Sequence, residues 1–480
     1  MTLGSLHRFR SLARSAIAPD GSDTLDRAAF LMLLVFMIAG PLLYEAILPA
    51  LLNAGTPAPL GNPLLNVFAF LTAAAALLSR CALLQARPLR LPLGAVGGLT
   101  LLGVVQLLPL PEGVMQQIAS VNAQIYHETA QILRLFGSSG VPNPKISIAP
   151  RETASALLGL LACVALFLAA VSLVRSRTRR RVFAWTVLVS AGLQLSRLAA
   201  FRFGLDGLTA PIGIDAPAAA ACLGIALCVV FGMIWAEVLT SPERGLDSRD
   251  RADRFERRFA PVAGRIILWL ALAAGLAWLR DSGAIVSAIV ATLVLLGLAL
   301  GRQRQEFLRR MAGSTVALLI FGLLLAARAG ASASEPATPI ATRPSVWKLS
   351  IAAWQQFPIF GSGLGTFREA FRRIQPRELQ GLVDRAPSGP LELLVTGGLI
   401  GMALGATVVV SLLVLFLRAW RLQKHREESA MTLAAFGALL FWTLASLMDS
   451  GATTFMVCAL LAPVLGAGWA ASQARGGRIL

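Results

Sequence analysis

The residues best suited to chemistry lie in a long polar interval late in the chain. Residues 328–391 carry Arg328, Arg343, Lys348, Arg368, Arg372, Arg373, Arg377 and Arg385 against four acids. Guanidinium groups grip phosphate bidentately, so this cluster suits an anionic ligand, most simply a lipid-linked phosphate or pyrophosphate. A solvated helix face touching lipid headgroups accounts for the same charges equally well. A second set consists of charges inside or at the ends of apolar runs, where they are costly: Glu45, Arg197, Arg202, Asp206, Asp215, Glu237, Arg280, Asp281, Glu392 and Asp449. Arg202, Asp206, Asp215, Arg280, Asp281 and Asp449 fall at the same ends of their runs as the polar interval. They either converge on one site beneath it or sit separately at the membrane surface. The five cysteines have no metal-ligand spacing and His7, His127 and His425 are far apart, so no metal site is expected. The glycines of GSGLG, Gly361, Gly363 and Gly365, follow no predicted strand; they predict a sharp turn with positive φ and no nucleotide loop.

The elements that must position these residues are membrane spans. The chain of 480 residues is 56% hydrophobic and only 14% charged, against roughly 25% charged in a soluble domain. Its mean hydropathy is +0.70. No water-soluble globule hides that much apolar surface. Twelve runs are long enough to cross a bilayer core of about 30 Å: 28–48, 63–79, 91–110, 153–174, 182–200, 217–238, 266–279, 283–300, 311–327, 392–417, 431–448 and 452–471. Between 266–279 and 283–300, Arg280 and Asp281 leave little room to turn. The fold class expected is therefore all-α, a polytopic integral membrane protein of about twelve transmembrane helices.

Charge orients it. The net charge is +18, from 40 arginines and three lysines against 25 acids. Of the 43 basic residues, 29 lie on one side of the twelve-span layout, in the N-terminal segment, 80–90, 175–181, 240–265, 301–310, 418–429 and the tail. The positive-inside rule makes that side cytoplasmic, with both termini on it, and places 328–391 in the exported compartment. This use of basic residues excludes nucleic acid as the partner. The division expected is 1–27 as a cytoplasmic segment, 28–327 as spans one to nine, 328–391 as a large periplasmic loop, 392–471 as spans ten to twelve and 472–480 as a cytoplasmic tail. The four arginines before the first long run predict a retained first helix and no cleaved signal. Within the loop, Trp347, Ile351 and Trp354 share one helical stripe, as do Phe367, Phe371 and Ile374, predicting two amphipathic helices on the outer membrane surface. In the earlier interval 111–151, VNAQIYHETAQILRLF predicts one more helix, bearing His127.

The stretch RPSVWKLSIAAWQQFPIFGSGLGTFREAFRRIQP, followed by PLELLVTGGLIGMALG, resembles the O-antigen ligase and polysaccharide polymerase superfamily. There a large periplasmic loop bears an Arg, a Trp on a helix and a Pro-x-x-Gly-x-Gly-x-Gly-x-Phe turn, then a span opening near Leu-Glu-Leu-Leu. The patch from Ile146 through Gln194 is similar to the family's fourth and fifth spans, so the resemblance covers roughly residues 140–420. It implies a metal- and cofactor-independent, GT-C-like membrane glycosyltransferase in the bacterial inner membrane. Such an enzyme moves a glycan from a polyprenyl-pyrophosphate carrier, such as undecaprenyl pyrophosphate, to a lipid or glycan acceptor, as in lipopolysaccharide assembly. In that chemistry arginines hold the pyrophosphate and a histidine deprotonates the acceptor hydroxyl.

The chain departs from the family at the chemistry. The family's His-Asn falls on Pro387 and Ser388, and proline is no base. Its Asn-Arg-Asn falls on Asp215, Ala216 and Pro217, and its Ser-Arg-Gly near Asp281, Ser282 and Gly283, with Arg280 two positions early. The expectation is a divergent ligase or polymerase in which Arg202, Arg280, Arg343, Arg368 and Arg372 hold pyrophosphate and Asp384 or His127 replaces the base. The alternative is a non-catalytic relative that binds the lipid-linked glycan or partners an assembly enzyme. A transporter built of inverted halves finds no support, because no internal repeat is present.

Overall fold

Inside a bilayer the backbone has no water to bond with, so apolar runs of this length satisfy their own N–H and C=O groups as helices. The computed structural model describes residues 24–42, 66–74, 89–136, 143–202, 216–238, 248–301, 343–376, 383–423 and 426–473. Among them are fourteen labelled α-helices and no strand; an isolated bridge joins Pro109 and Lys145. The helices are α1 (Thr24–Leu42), α2 (Arg90–Leu107), α3 (Glu112–Ile118), α4 (Ser120–Leu135), α5 (Pro150–Leu173), α6 (Arg177–Arg202), α7 (Ala216–Val238) and α8 (Ser248–Leu279). They continue with α9 (Ser282–Gly301), α10 (Arg343–Gln356), α11 (Phe367–Arg372), α12 (Gly389–Leu422), α13 (Arg426–Met448) and α14 (Phe455–Gln473). A further helical segment covers 66–74. Among the described residues, eight helices are long and apolar enough to cross a membrane. The protein is an all-α polytopic membrane protein.

Ten of the twelve predicted spans fall on labelled helices, and 66–74 lies within the run 63–79. The run 311–327 lies outside the described residues, as does the linker that opens the 328–391 loop. The tight connection between α8 and α9 is made by Arg280, which takes a positive φ of 59°, while Asp281 Oδ1 caps α9 by accepting from Ala284 N at 3.1 Å. α8 also starts fourteen residues before its apolar window, inside an interval that reads as a loop. Acid–arginine spacings of four, Asp250 to Arg254 and Asp253 to Arg257, favour helix there.

The core is built around α7, buried over 89% of its apolar window and packed on α6, α8, α9, α13 and α14. Its Ala- and Gly-rich sequence allows close approach: a Cβ on Gly224 would enter the Phe441 ring of α13. α12, buried over only 22%, packs on α2 and α13 and leaves side chains such as Leu399 and Val410 exposed, as lipid contact requires. The described helices run between two ends of the bundle. One gathers the starts of α1, α2 and α6 and the ends of α7 and α14, and is rich in arginine. The other gathers the starts of α5, α7, α9, α12 and α14 and carries the described loop residues 343–376 and 383–388.

A small second core lies at the loop end. Phe367 and Phe371 of α11 are fully buried with Ala353, Phe357, Ala386, Leu391 and Val395, and Val121 and Ile125 of α4 pack against them. The stripe predicted on α11 thus faces protein and not the outer membrane surface, because it closes this core. On α10 the predicted stripe splits: Trp347 and Ile351 are exposed, while Trp354 packs against this core alongside buried Ser350 and Ala353.

Candidate functional site

The loop is seated on the bundle by a break in α12. Gly398 has φ 65° and ψ −165° in the middle of this helix. The break releases backbone groups on both sides, and the loop turn takes them up. Ser362 N donates to Val395 O and Gly363 N to Thr396 O, each at 3.0 Å, while Leu399 N donates to Pro358 O at 2.9 Å and Ile400 N to Ile359 O at 3.3 Å. Gly361 and Gly398 both hold positive φ, and each lies where a Cβ would strike the other segment's carbonyl, Thr396 O and Ile359 O respectively. Gly363 and Gly365 also have positive φ, so GSGLG is the predicted turn.

Two other segments lock this junction. Gln106, buried near the end of α2, donates through Nε2 to Phe360 O at 2.7 Å and Thr396 O at 3.1 Å, and its Oε1 accepts from Leu364 N at 2.9 Å. Residues 146–153 approach from the other side: Ile148 N donates to Ser362 O at 2.9 Å, and the Ser147 and Thr153 hydroxyls pair at 2.7 Å. α4 fastens that segment, Asn122 Nδ2 donating to Ile146 O and Tyr126 OH to Ser147 O at 2.8 Å. Burial pushes the Tyr126 hydroxyl up to about 12. GSGLG therefore spends its backbone groups on protein partners and positions the helices on either side.

At the start of α12 the Ser388 side chain caps the helix, accepting from Leu391 N at 3.4 Å. Glu392, in the first turn, accepts from the Ala386 backbone, and the Arg385 charge acts on both Glu392 and Cys458. Its second carboxylate oxygen, Oε2, is buried with no hydrogen-bond partner among the described residues. Neighbouring elements crowd in. A Cβ on Gly389 would meet Ser446 at 3.3 Å, one on Gly283 would meet Met448 at 2.8 Å, and one on Gly451 would run into Pro217. The start of α12, the end of α13, the 450–453 turn, the 280–283 turn and the start of α7 thus meet at one place.

The predicted site residues distribute as follows. Arg280 lies in the α8–α9 turn at this end. Arg368 is half-buried, its Nε 3.7 Å from Asp384 Oδ1 and 4.0 Å from Glu369 Oε1. Asp384 is therefore already engaged by a cation, and Arg372 is exposed on the next turn of α11. Arg202 ends α6 and Arg343 begins α10; their side chains lie outside the described residues, as do Asp206 and Asp215 entirely. His127 is exposed on α4 and pairs with Gln131 at 3.0 Å. Pro387 sits between Ala386 and the capping Ser388. Asp281 and Asp449 act as caps, Asp449 Oδ1 accepting from Gly451 N at 2.7 Å. Sequence reasoning missed Gln106 and the break at Gly398; an amide inside an apolar run and the Gly397–Gly398 pair were the available signals.

A family model described as O-antigen ligase matches residues 220–406, from α7 through the turn and just past the break in α12. Over those residues the chain is similar to the O-antigen ligase family. That similarity supports a part in polysaccharide assembly in general, and the eight apolar helices among the described residues suit a multi-pass membrane protein. The matched region contains Arg280, Arg343, Arg368, Arg372, Asp384 and Glu392, and excludes Arg202 and His127. No curated protein matches the chain.

Proposed function

We propose that the loop end transfers a glycan from a polyprenyl-pyrophosphate carrier to an acceptor hydroxyl, in the manner of an O-antigen ligase or polymerase. On this reading the loop is periplasmic, the membrane is the bacterial inner membrane, and both termini are cytoplasmic, in keeping with the positive charge of the other end. Arg280 and Arg372, with Arg202, Arg343 and Arg368, neutralise the pyrophosphate as it leaves. The step breaks the anomeric carbon–phosphate oxygen bond, forms a bond from the acceptor oxygen to that carbon, and sends the hydroxyl proton to a carboxylate.

That carboxylate is Glu392. The observation that carries the assignment is its Oε2, buried and without a partner among the described residues, in the helix turn that follows the position where the family has its histidine. Asp384 is the weaker candidate because Arg368 already engages it, and His127 because it pairs along its own helix. The replacement of the family histidine by Pro387 favours a second reading, in which the chain binds the carrier and no longer transfers.

The experiment is release of the pyrophosphate lipid by the purified protein in nanodiscs supplied with carrier-linked glycan. Release by the parent is expected, with a loss of at least about a hundredfold in Glu392→Gln, the lower end for a general base, and retained carrier binding. Arg280→Ala and Arg372→Ala should weaken both binding and release. Saturable binding without release by the parent establishes the second reading instead.

A further inference from the structure

Helix α4 carries an apolar stripe longer than the protein that covers it. Val121, Ile125, Ile132 and Phe136 recur at spacings of four, seven and four, which puts them on one side of the helix. Val121 and Ile125 pack against the small core at the loop end. Past that core the stripe is bare: Ile132 is 55% exposed, and Leu135 and Phe136 are 85% and 84% exposed. The last turn is nonetheless well formed, Phe136 N donating to Ile132 O at 3.2 Å. The other side is polar and bonds within itself, as a face in water does: Gln124 Nε2 donates to Glu128 Oε1 at 2.9 Å, and His127 pairs with Gln131. The helix is thus amphipathic along its length, with the second half of its apolar side uncovered.

Depth decides what covers it. Asn122 and Tyr126 bond the backbone of residues 146–147, and Ser147 N donates to Gln106 O, inside the apolar window of α2. Val121 and Ile125 share their core with Leu391 and Val395, inside the apolar window of α12. α4 is therefore fastened at the level where the spans leave the hydrocarbon. Exposed apolar surface already reaches this level along α2, on Leu101, Val104 and Leu108, and continues on α3 with Val114 and Ile118. A second copy of the chain is the poorer occupant, since three side chains fall far short of the roughly 800 Å² per partner of a stable interface. We infer that α4 is an interfacial helix whose last turn inserts Ile132, Leu135 and Phe136 into the lipid leaflet at the loop end, its polar side toward water. The inference rests on the spans and is independent of the glycan transfer proposed above. Because α4 also fastens the segment whose Ile148 bonds Ser362, the inserted turn braces the loop junction against the bilayer.

The test places a nitroxide label at F136C and, separately, at Q131C of the full chain in nanodiscs of phosphatidylglycerol and phosphatidylcholine. The parent, treated with the same label, supplies the signal of the native cysteines for subtraction. Collision with oxygen, which concentrates in hydrocarbon, is compared with collision with a water-soluble nickel chelate. At F136C oxygen should dominate, at a depth of about 5–10 Å on a scale set by spin-labelled lipids. At Q131C, on the polar side, the chelate should dominate. Melting checks that each variant folds; if F136C does not, L135C carries the same expectation. Equal access of the chelate to the labels at 136 and 131 overturns the inference, because the last turn then stands in water. So does a label at 136 shielded from both reagents: with dipolar coupling between two labelled chains it assigns the stripe to a second copy, and without coupling to another part of the chain.

Discussion

At the loop end, the turn at 361–365 and the break in α12 exchange backbone hydrogen bonds, and one buried glutamine fastens both. At the arginine-rich end, side-chain charges take over: Arg179 meets Asp26 at 2.8 Å with both nearly buried, donates to Leu173 O at 3.2 Å, and lies 5.1 Å above the Phe30 ring. Arg180 with Glu428 and Arg265 with Glu237 continue the pattern around a cavity. A backbone-built junction has one geometry and tolerates almost no change of residue at its glycines. A charge-built junction adapts, answers to salt and to ligands, and leaves space. Glycan transfer, which needs a fixed constellation, is proposed at the first.

The comparison breaks most readily at Gly398. Gly398→Ala places a side chain against Ile359 O at a φ that disfavours one, and should cost more than about 3 kcal/mol. Thermal unfolding in detergent measures it; a loss comparable with an exposed helix substitution would mean that the junction yields. Arg179→Ala removes the cation facing buried Asp26 and should cost about 3 kcal/mol, partly recovered in Asp26→Asn/Arg179→Ala. Gln106→Leu strands the Phe360 carbonyl and the Leu364 N–H and should cost about 2 kcal/mol, independent of salt. Tyr126 sharpens the contrast through pH. Its hydroxyl is raised from 10.0 to about 12, so its stabilisation is complete below pH 10 and is lost as pH rises toward 12; Tyr126→Phe should lack that component of alkaline unfolding. Smallest is Arg368→Ala, whose ion pair with Asp384 is exposed enough to contribute at most about 1 kcal/mol.

Much of this architecture was legible because apolar length and arginine position are written directly in the chain. The ten spans that fall on labelled helices follow from hydropathy, as does the short α8–α9 turn, and the glycine turn follows from GSGLG. What was not legible is pairing across long separations. Nothing local marks Gln106 as the partner of residues 254 and 290 positions away, nor distinguishes Gly398 from glycines that merely pack. The candidate site divided in the same way. The loop arginines stand out by charge, and Glu392 by its place in a span. That Asp281 and Asp449 serve as caps, and that Asp384 is engaged by Arg368, depends on three-dimensional neighbours.

The reach of Gln106 also fixes an order of events during synthesis. α2 enters the membrane long before Thr396, 290 residues later, has been made. Until the ribosome has delivered the loop and α12, this amide sits in an apolar helix without the carbonyls it will eventually bind, and backbone groups freed at Gly398 have no turn to meet. Loop-closure entropy makes so distant a pairing slow. The loop end is therefore the last part of the molecule to mature, and a nascent chain halted before α12 carries a membrane domain with its loop end still unmade.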